Sequence, residues 1–294
     1  MWIKRFLALA ALAAVVVAVV VVTGSRGAST PQAAAPTATA TAKKKRPKSA
    51  KAKATPTPLP GEVHGAAARR MPVPILMYHV ISKAPAGVPN AELWVDRHVF
   101  ADEMRALRAA KYQAITLQQA YDAWKHGGPL PKHPVVVSFD DGYLSHYTHA
   151  KPVLRALGWP GVLNLQLNVL GQGGLTTKQI KSMIAAGWEV DSHTLTHPDL
   201  TTLDDASLKR ELVDSRRELR KRFGVPADFI AYPAGKYDAR VEAATKAAGY
   251  RAATTVDEGV ARGRADLFAL KRVRVNASDT AATLLARLRP SSRG

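Results

Sequence analysis

The chain contains no cysteine, which excludes disulfides, thiol nucleophiles and cysteine-ligated metal sites. A domain without disulfides must be held by its core, and the about 220 residues after position 70 are ample for one. Acidic side chains are scarce, 23 against 42 lysines and arginines, giving a net charge of +19. The imbalance is uneven. Residues 1–70 hold 12 of those cations and a single acid, Glu62, so the remainder carries only +8. No basic motif is interleaved with aromatics, and only 6% of residues are aromatic, so nucleic acid is not a partner.

Long apolar runs are equally rare. The one present, Phe6 to Val22, spans 17 residues behind Lys4 and Arg5. A basic start before such a run reads as an export signal or a membrane anchor, at the lower limit of about 17–25 residues for a spanning helix. Thr23 to Ala28 offers no clean small-x-small cleavage site, so residues 1–27 are expected to stay as an anchor, with the rest of the chain outside the cytoplasmic membrane. A cleaved signal and a secreted protein is the other outcome. Residues 28–70 are rich in Ala, Pro, Thr and Lys and nearly devoid of large apolar side chains, the composition of a disordered linker. Lys43, Lys44, Lys45, Arg46, Lys48, Lys51 and Lys53 form a basic block within it. That block suits an anionic envelope polymer or lipid headgroups, or serves as a solvated spacer extended by its own repulsion.

From Met71 to Gly294 apolar strand-like runs alternate with amphipathic patterns. Strands are expected at 73–78, 135–139, 162–167, 188–190, 229–232, 252–255 and 267–275. Helices are expected at 97–109 behind the N-cap Asp96, after the capping box Thr176-Thr177-Lys178-Gln179, at 208–223, at 239–248 and at 281–288. Six or seven β/α alternations predict a parallel sheet or barrel with helices outside, and such folds collect their chemistry at the carboxyl ends of the strands. His79, Asp140, His193 and Tyr232 all fall at or just after such ends.

Two motifs carry the chemistry. Ser138-Phe139-Asp140-Asp141-Gly142 sets two carboxylates where a buried strand ends, and Gly142 permits the break that lets both serve one pocket. His193-Thr194-Leu195-Thr196-His197-Pro198 offers two imidazoles, in a loop rather than a helix because Pro198 biases its predecessor away from helix. One carboxylate and two histidines suffice to hold a catalytic divalent metal with open positions, and the second carboxylate is left free to act as a base.

Read together at this separation, the two motifs resemble the first two signatures of the polysaccharide deacetylases, the NodB-homology group or carbohydrate esterase family 4, over roughly Pro72 to the C-terminus. The resemblance implies a distorted (β/α)7 barrel and removal of acetyl groups from N-acetylglucosamine polymers or O-acetylated sugars. By position it makes Asp141, His193 and His197 metal ligands and Asp140 the base. Zinc is the default metal, with cobalt or nickel able to take the same ligands. Two departures from the common pattern, Ala231 where an arginine is usual and no late Leu-x-x-His, are similar to the poly-β-1,6-N-acetylglucosamine deacetylase branch. That branch implies His79 of Pro74-Ile75-Leu76-Met77-Tyr78-His79 as the general acid. In Tyr232-Pro233-Ala234-Gly235 it implies substrate contacts at Tyr232 and Pro233 and an oxyanion donor in the Ala234 N–H. Tyr143 is expected to touch substrate, and Arg272 is a stand-in for the missing arginine that orients the base. His146 and His149 are read as exposed helix-start residues. The competing functions are a catalytically silent wall-polysaccharide-binding module, an O-acetyl esterase on xylan-like polymer, and an iron oxygenase.

Overall fold

The structure, a computed structural model, describes residues 61–288, all within one unit. The expected anchor at 1–27 and the linker up to residue 60 lie outside the described residues. Residues 61–70, expected as linker, are instead part of the fold. Glu62–Val63 pairs antiparallel with Leu130–Pro131, and Gly65–Arg70 is a short helix that buries Ala68 in the core. Three alanines and two arginines pass for linker by composition, yet one buried methyl face is enough to dock them. Among the described residues no helix is long and apolar enough to cross a membrane.

Eight parallel strands form the central sheet: β1 (Ile75–Tyr78), β2 (Gln113–Ile115), β3 (Pro134–Asp140), β4 (Val162–Leu165), β5 (Glu189–Ser192), β6 (Phe229–Ala231), β7 (Ala252–Glu258) and β8 (Leu270–Arg274). Seven of them close a barrel in the order β1-β8-β7-β6-β5-β4-β3, with β3 pairing back to β1. β2 stands aside: it takes the edge of β3 at 134–136, and β4 takes the same edge from Ser138 to Asp140. Pro74 ends the strand expected from Val73, because a proline cannot donate to a ladder. Pro72–Val73 pairs instead with Ala261–Arg262.

The helices fill the crossovers: α1 (Arg97–Ala109), α2 (Leu117–His126), α3 (Lys151–Ala156), α4 (Thr177–Ile184), α5 (Ser215–Phe223), α6 (Ala239–Ala247) and, after β8, α7 (Ala281–Leu288). Asp96 caps α1 through the His98 N–H, and Thr176 with Gln179 closes both halves of the box that opens α4. The helix expected from 208 to 223 is not continuous. A π-helical turn, Arg210–Asp214, separates Asp205–Lys209 from α5, and Gly224 at φ 70° ends the segment.

Alternation along β3 explains the layering. Val135, Val137 and Phe139 pack outward with Tyr78, Phe100 and Trp188 beneath the helices. Val136 points inward with Ile75, Val162, Phe229, Ala252 and Leu270 to fill the lower barrel with apolar side chains. Above that plug the interior turns polar, with Ser138, Asn164, Asp191, Thr254 and Arg272 all buried. The site is built on this polar layer.

Candidate active site

β3 is buried along its whole length and ends at Asp140. Asp141 (φ 73°) and Gly142 (φ 86°) are both left-handed, so the chain swings round and two successive carboxylates face one mouth. Asp141 Oδ1 lies 3.5 Å from His193 Nε2 and 3.7 Å from His197 Nε2. One donor atom from each of the three residues falls within 4.8 Å of the others. Ligands about 2.0–2.2 Å from a tetrahedral ion would stand roughly 3.3 Å apart, so the donor set fits a divalent metal. His193 Nδ1 donates to Ala231 O at 2.7 Å, which fixes the tautomer and turns the Nε2 lone pair towards Asp141. Burial, followed by the charge of His193, lowers the His197 pKa and favours the neutral, ligating form.

The histidine loop is held by its own polar groups. His193 N–H extends the β4–β5 ladder to Leu165 O at 2.9 Å. Thr194 (φ 67°) and His197 (φ 61°) are left-handed. Ser192 Oγ accepts from Thr194 N–H, and Thr194 Oγ1 accepts from His197 N–H. Glu211, buried in the π-helical turn, takes both the Leu195 and Thr196 N–H groups on Oε2 and the Thr196 hydroxyl on Oε1.

Asp140 sits just below the three donors, 1% exposed. Arg272 donates Nη1 to Oδ1 and Nη2 to Oδ2, each at 2.8 Å, and Asn164 Nδ2 donates to Oδ1 at 2.7 Å. The guanidinium is itself fixed by Nε donating to Thr255 O. Burial alone would favour the neutral acid, but the Arg272 charge, the His193 imidazole and the Arg272 hydrogen bonds hold the carboxyl well below the usual range. His79 Nε2 stands 4.0 Å from Asp140 Oδ2 across the mouth. Burial lowers its pKa while the two carboxylates pull it back up.

The remaining expected residues divide. Ala234 (φ 50°) is exposed, and the bonds that close its turn run from Gly235 N–H to Tyr232 O and from Lys236 N–H to Pro233 O, leaving its own N–H out. Gly235 is needed beside it, because a Cβ there would run into Val256. Tyr143 is partly exposed next to Asp141, and burial together with that carboxylate pushes its phenol up to about 12. The expectation for Tyr232 needs correcting. Its ring is fully buried on the helix side of β6, stacked on Tyr237 at 4.9 Å, out of reach of a substrate. The alternation of β6 sends residue 232 outward. Pro233 is buried too. His146 and His149 are not exposed either: each donates to a backbone carbonyl, of His79 and Ile81.

Comparison with known proteins fits this geometry. The polysaccharide deacetylase family profile matches residues 127–253. A Bacillus subtilis protein, YxkH, classed by its name among polysaccharide deacetylases, is 31% identical over 205 residues, covering 69% of this chain and 71% of its own. The chain belongs to the polysaccharide deacetylase family. A poly-β-1,6-N-acetyl-D-glucosamine N-deacetylase of Staphylococcus epidermidis is 26% identical over 201 residues, 63% of this deacetylase and 69% of that protein. The Streptococcus pyogenes deacetylase PplD, solved with acetate, superposes with a TM-score of 0.71 at 28% identity over 75% of this chain and all of that one.

Several groups in the site of this deacetylase escape the sequence. Asn164 is the polar residue in the otherwise apolar strand β4, and Glu211 shares the buried stripe of Leu208 and Leu212; each is an anomaly that pattern alone flags without naming a partner. The Ala231 carbonyl carries no sequence signal at all.

Proposed function

We propose that this polysaccharide deacetylase hydrolyses N-acetyl groups on an N-acetylglucosamine-containing polymer, with a divalent metal, zinc by default, on Asp141, His193 and His197. The observation that carries the reading is a free carboxylate, Asp140, locked beside a histidine–histidine–aspartate donor set with an imidazole, His79, opposite it. When bound, such an ion supplies Lewis acidity to the acetamide oxygen and lowers the pKa of water from ~16 towards ~7.

The protein's own groups do the rest. Asp140, its oxygens aimed by Arg272 and Asn164, accepts a proton from water as the water oxygen bonds to the acetyl carbon. The Ala234 N–H, left free by the bonds of its turn among the described residues, donates to the oxygen that gains charge. The carbon–nitrogen bond then breaks, and His79 Nε2 delivers a proton to the departing nitrogen, leaving free amine and acetate. Exposed Tyr143 supplies a ring at the mouth for a sugar face.

The substrate class is supported by relatives whose names state a poly-β-1,6-N-acetylglucosamine activity. The basic start, the apolar run 6–22 and the lysine block support an exported, membrane-tethered setting and thus an envelope glycan. Acetate release should be measured on β-1,6-linked N-acetylglucosamine oligomers, chitooligosaccharides, peptidoglycan and acetylated xylan. Release from an N-acetylated polymer, abolished by a chelator and restored by zinc, is expected. Asp140→Asn should lose about 10²–10⁴-fold in kcat yet still bind zinc, whereas Asp141→Ala should bind none. Zinc retained by Asp141→Ala, or acetate released only from xylan, overturns the assignment.

A further inference from the structure

The chain that follows the aspartate pair reaches back and grips the segment that carries His79. Residues His146–Ala150 form a π-helical turn leading directly into α3. Ser145 Oγ accepts from Ile81 N–H at 3.0 Å. His146 Nε2 donates to His79 O, and His149 Nδ1 donates to Ile81 O, each at 2.6 Å. These bonds span 64–68 residues of sequence, so they tie the two halves of the mouth together. A carbonyl only accepts, which fixes the proton on Nε2 of His146 and on Nδ1 of His149. Both rings, three residues apart in that turn, reach the same short segment.

His79 needs such a tie. Its Nδ1 is buried and unpartnered among the described residues, and the carboxylate that its Nε2 meets, Asp140 Oδ2, stands 4.0 Å away. The ring is therefore aimed by its backbone and by packing, with no hydrogen bond of its own among the described residues. That backbone lies between β1 and the short strand Val80–Ile81, where the ladder jogs from β8 and β3 to Trp94–Val95.

We propose that Ser145, His146 and His149 are positioning residues that fix the His79–Ile81 backbone against the Asp140–Asp141 turn and thereby set the reach of His79 to the departing nitrogen. This rests on the reading of His79 as the acid, so the test separates the two. His146→Leu keeps the volume and removes the donor; His146→Gln returns an amide N–H near Nε2. Turnover of the purified full chain is measured on a β-1,6-linked N-acetylglucosamine oligomer, whose amine must be protonated, and on 4-nitrophenyl acetate, whose phenolate leaves unaided. His146→Leu is expected to lose about 10–100-fold in kcat on the oligomer, the scale of a misplacement near 1 Å. KM, zinc binding and the 4-nitrophenyl acetate rate should stay within about twofold, and His146→Gln should recover most of the loss. His79→Ala should show the same dependence on leaving group. Should His79→Ala lack it, the acid assignment fails. Should His79→Ala show it while His146→Leu and His149→Leu do not, the positioning role fails. If His146→Leu does not fold, as judged by thermal melting, the pair His149→Leu and His149→Asn carries the same comparison, with Asn expected to rescue.

Discussion

At the scale of single residues the Asp140–Arg272 pair dominates. Both partners are about 1% exposed, so each has surrendered its hydration, and only the bidentate contact, Asn164 and Thr255 compensate. Removing one half strands the other as an unpaired buried charge, which costs about 3–5 kcal/mol. Arg272→Leu should therefore lower unfolding stability in urea by that amount and abolish acetate release. Adding Asp140→Asn should recover much of the stability and none of the activity. If Arg272→Leu alone unfolds like the wild type, the pair is not the buried clamp described. The family resemblance pairs the two residues as base and orienting arginine, whereas the residues alone do not. Asp140 belongs to a local motif that can be read directly. Arg272 lies 132 residues away among Lys271 and Arg274, and only the barrel register decides which of the three points inward.

At the scale of elements, the site depends on short irregular pieces more than on the regular ones. Beyond His193 the histidine loop keeps two backbone bonds, from Leu167 N–H to Thr194 O and from Asn168 N–H to Leu195 O, and the Glu211 carboxylate adds three more. The π-helical turn Arg210–Asp214 places Glu211 against the loop. Groups that orient metal ligands typically contribute 10–100-fold in affinity, so Glu211→Gln should weaken zinc binding at least about tenfold by calorimetric titration. Unchanged affinity would mean that Ser192, Thr194 and the backbone bonds from Leu167 and Asn168 hold the loop without Glu211. Periodicity captured the long elements well: α1 and α7 have the expected limits, and α4 opens on the expected capping box. It missed the break inside 208–223, because a π turn inserts one residue without disturbing the apolar stripe. It also passed over β2 and α2. β2 is three residues long with one exposed, too short to show a period.

At the scale of the molecule, the barrel is an apolar plug below and a polar chamber above, inside a jacket of helices. The (β/α)7 architecture follows from motifs and alternation, but the inclusion of residues 61–70 does not, since a few buried alanines leave no signature. The jacket has an acidic flaw of its own. Glu103 on α1 is fully buried, accepting from Tyr78 OH at 2.8 Å with its other oxygen unpartnered among the described residues. Asp102 on the same helix and Asp279 and Arg287 around α7 are the charges that face it. Burial, the main cause, pushes its pKa up to about 7 from 4.5. The folded chain thus holds this proton more tightly than the unfolded one. The stabilisation is complete below pH 4.5 and is lost as pH rises to about 7, a swing of at most ~3 kcal/mol. Glu103→Gln should flatten that slope in urea unfolding measured from pH 4.5 to 8. Equal slopes in both proteins would remove Glu103 as the source.

The left-handed backbone at Asp141, Thr194, His197 and Ala234 has a consequence for engineering. Swapping non-glycine residues with positive φ for glycine is a way to relieve backbone strain in a scaffold, and applied blindly it would select these four positions together with Asn90, Lys111 and Ala227. The product would be a tougher barrel emptied of its chemistry, for this catalyst keeps its tension where it does its work.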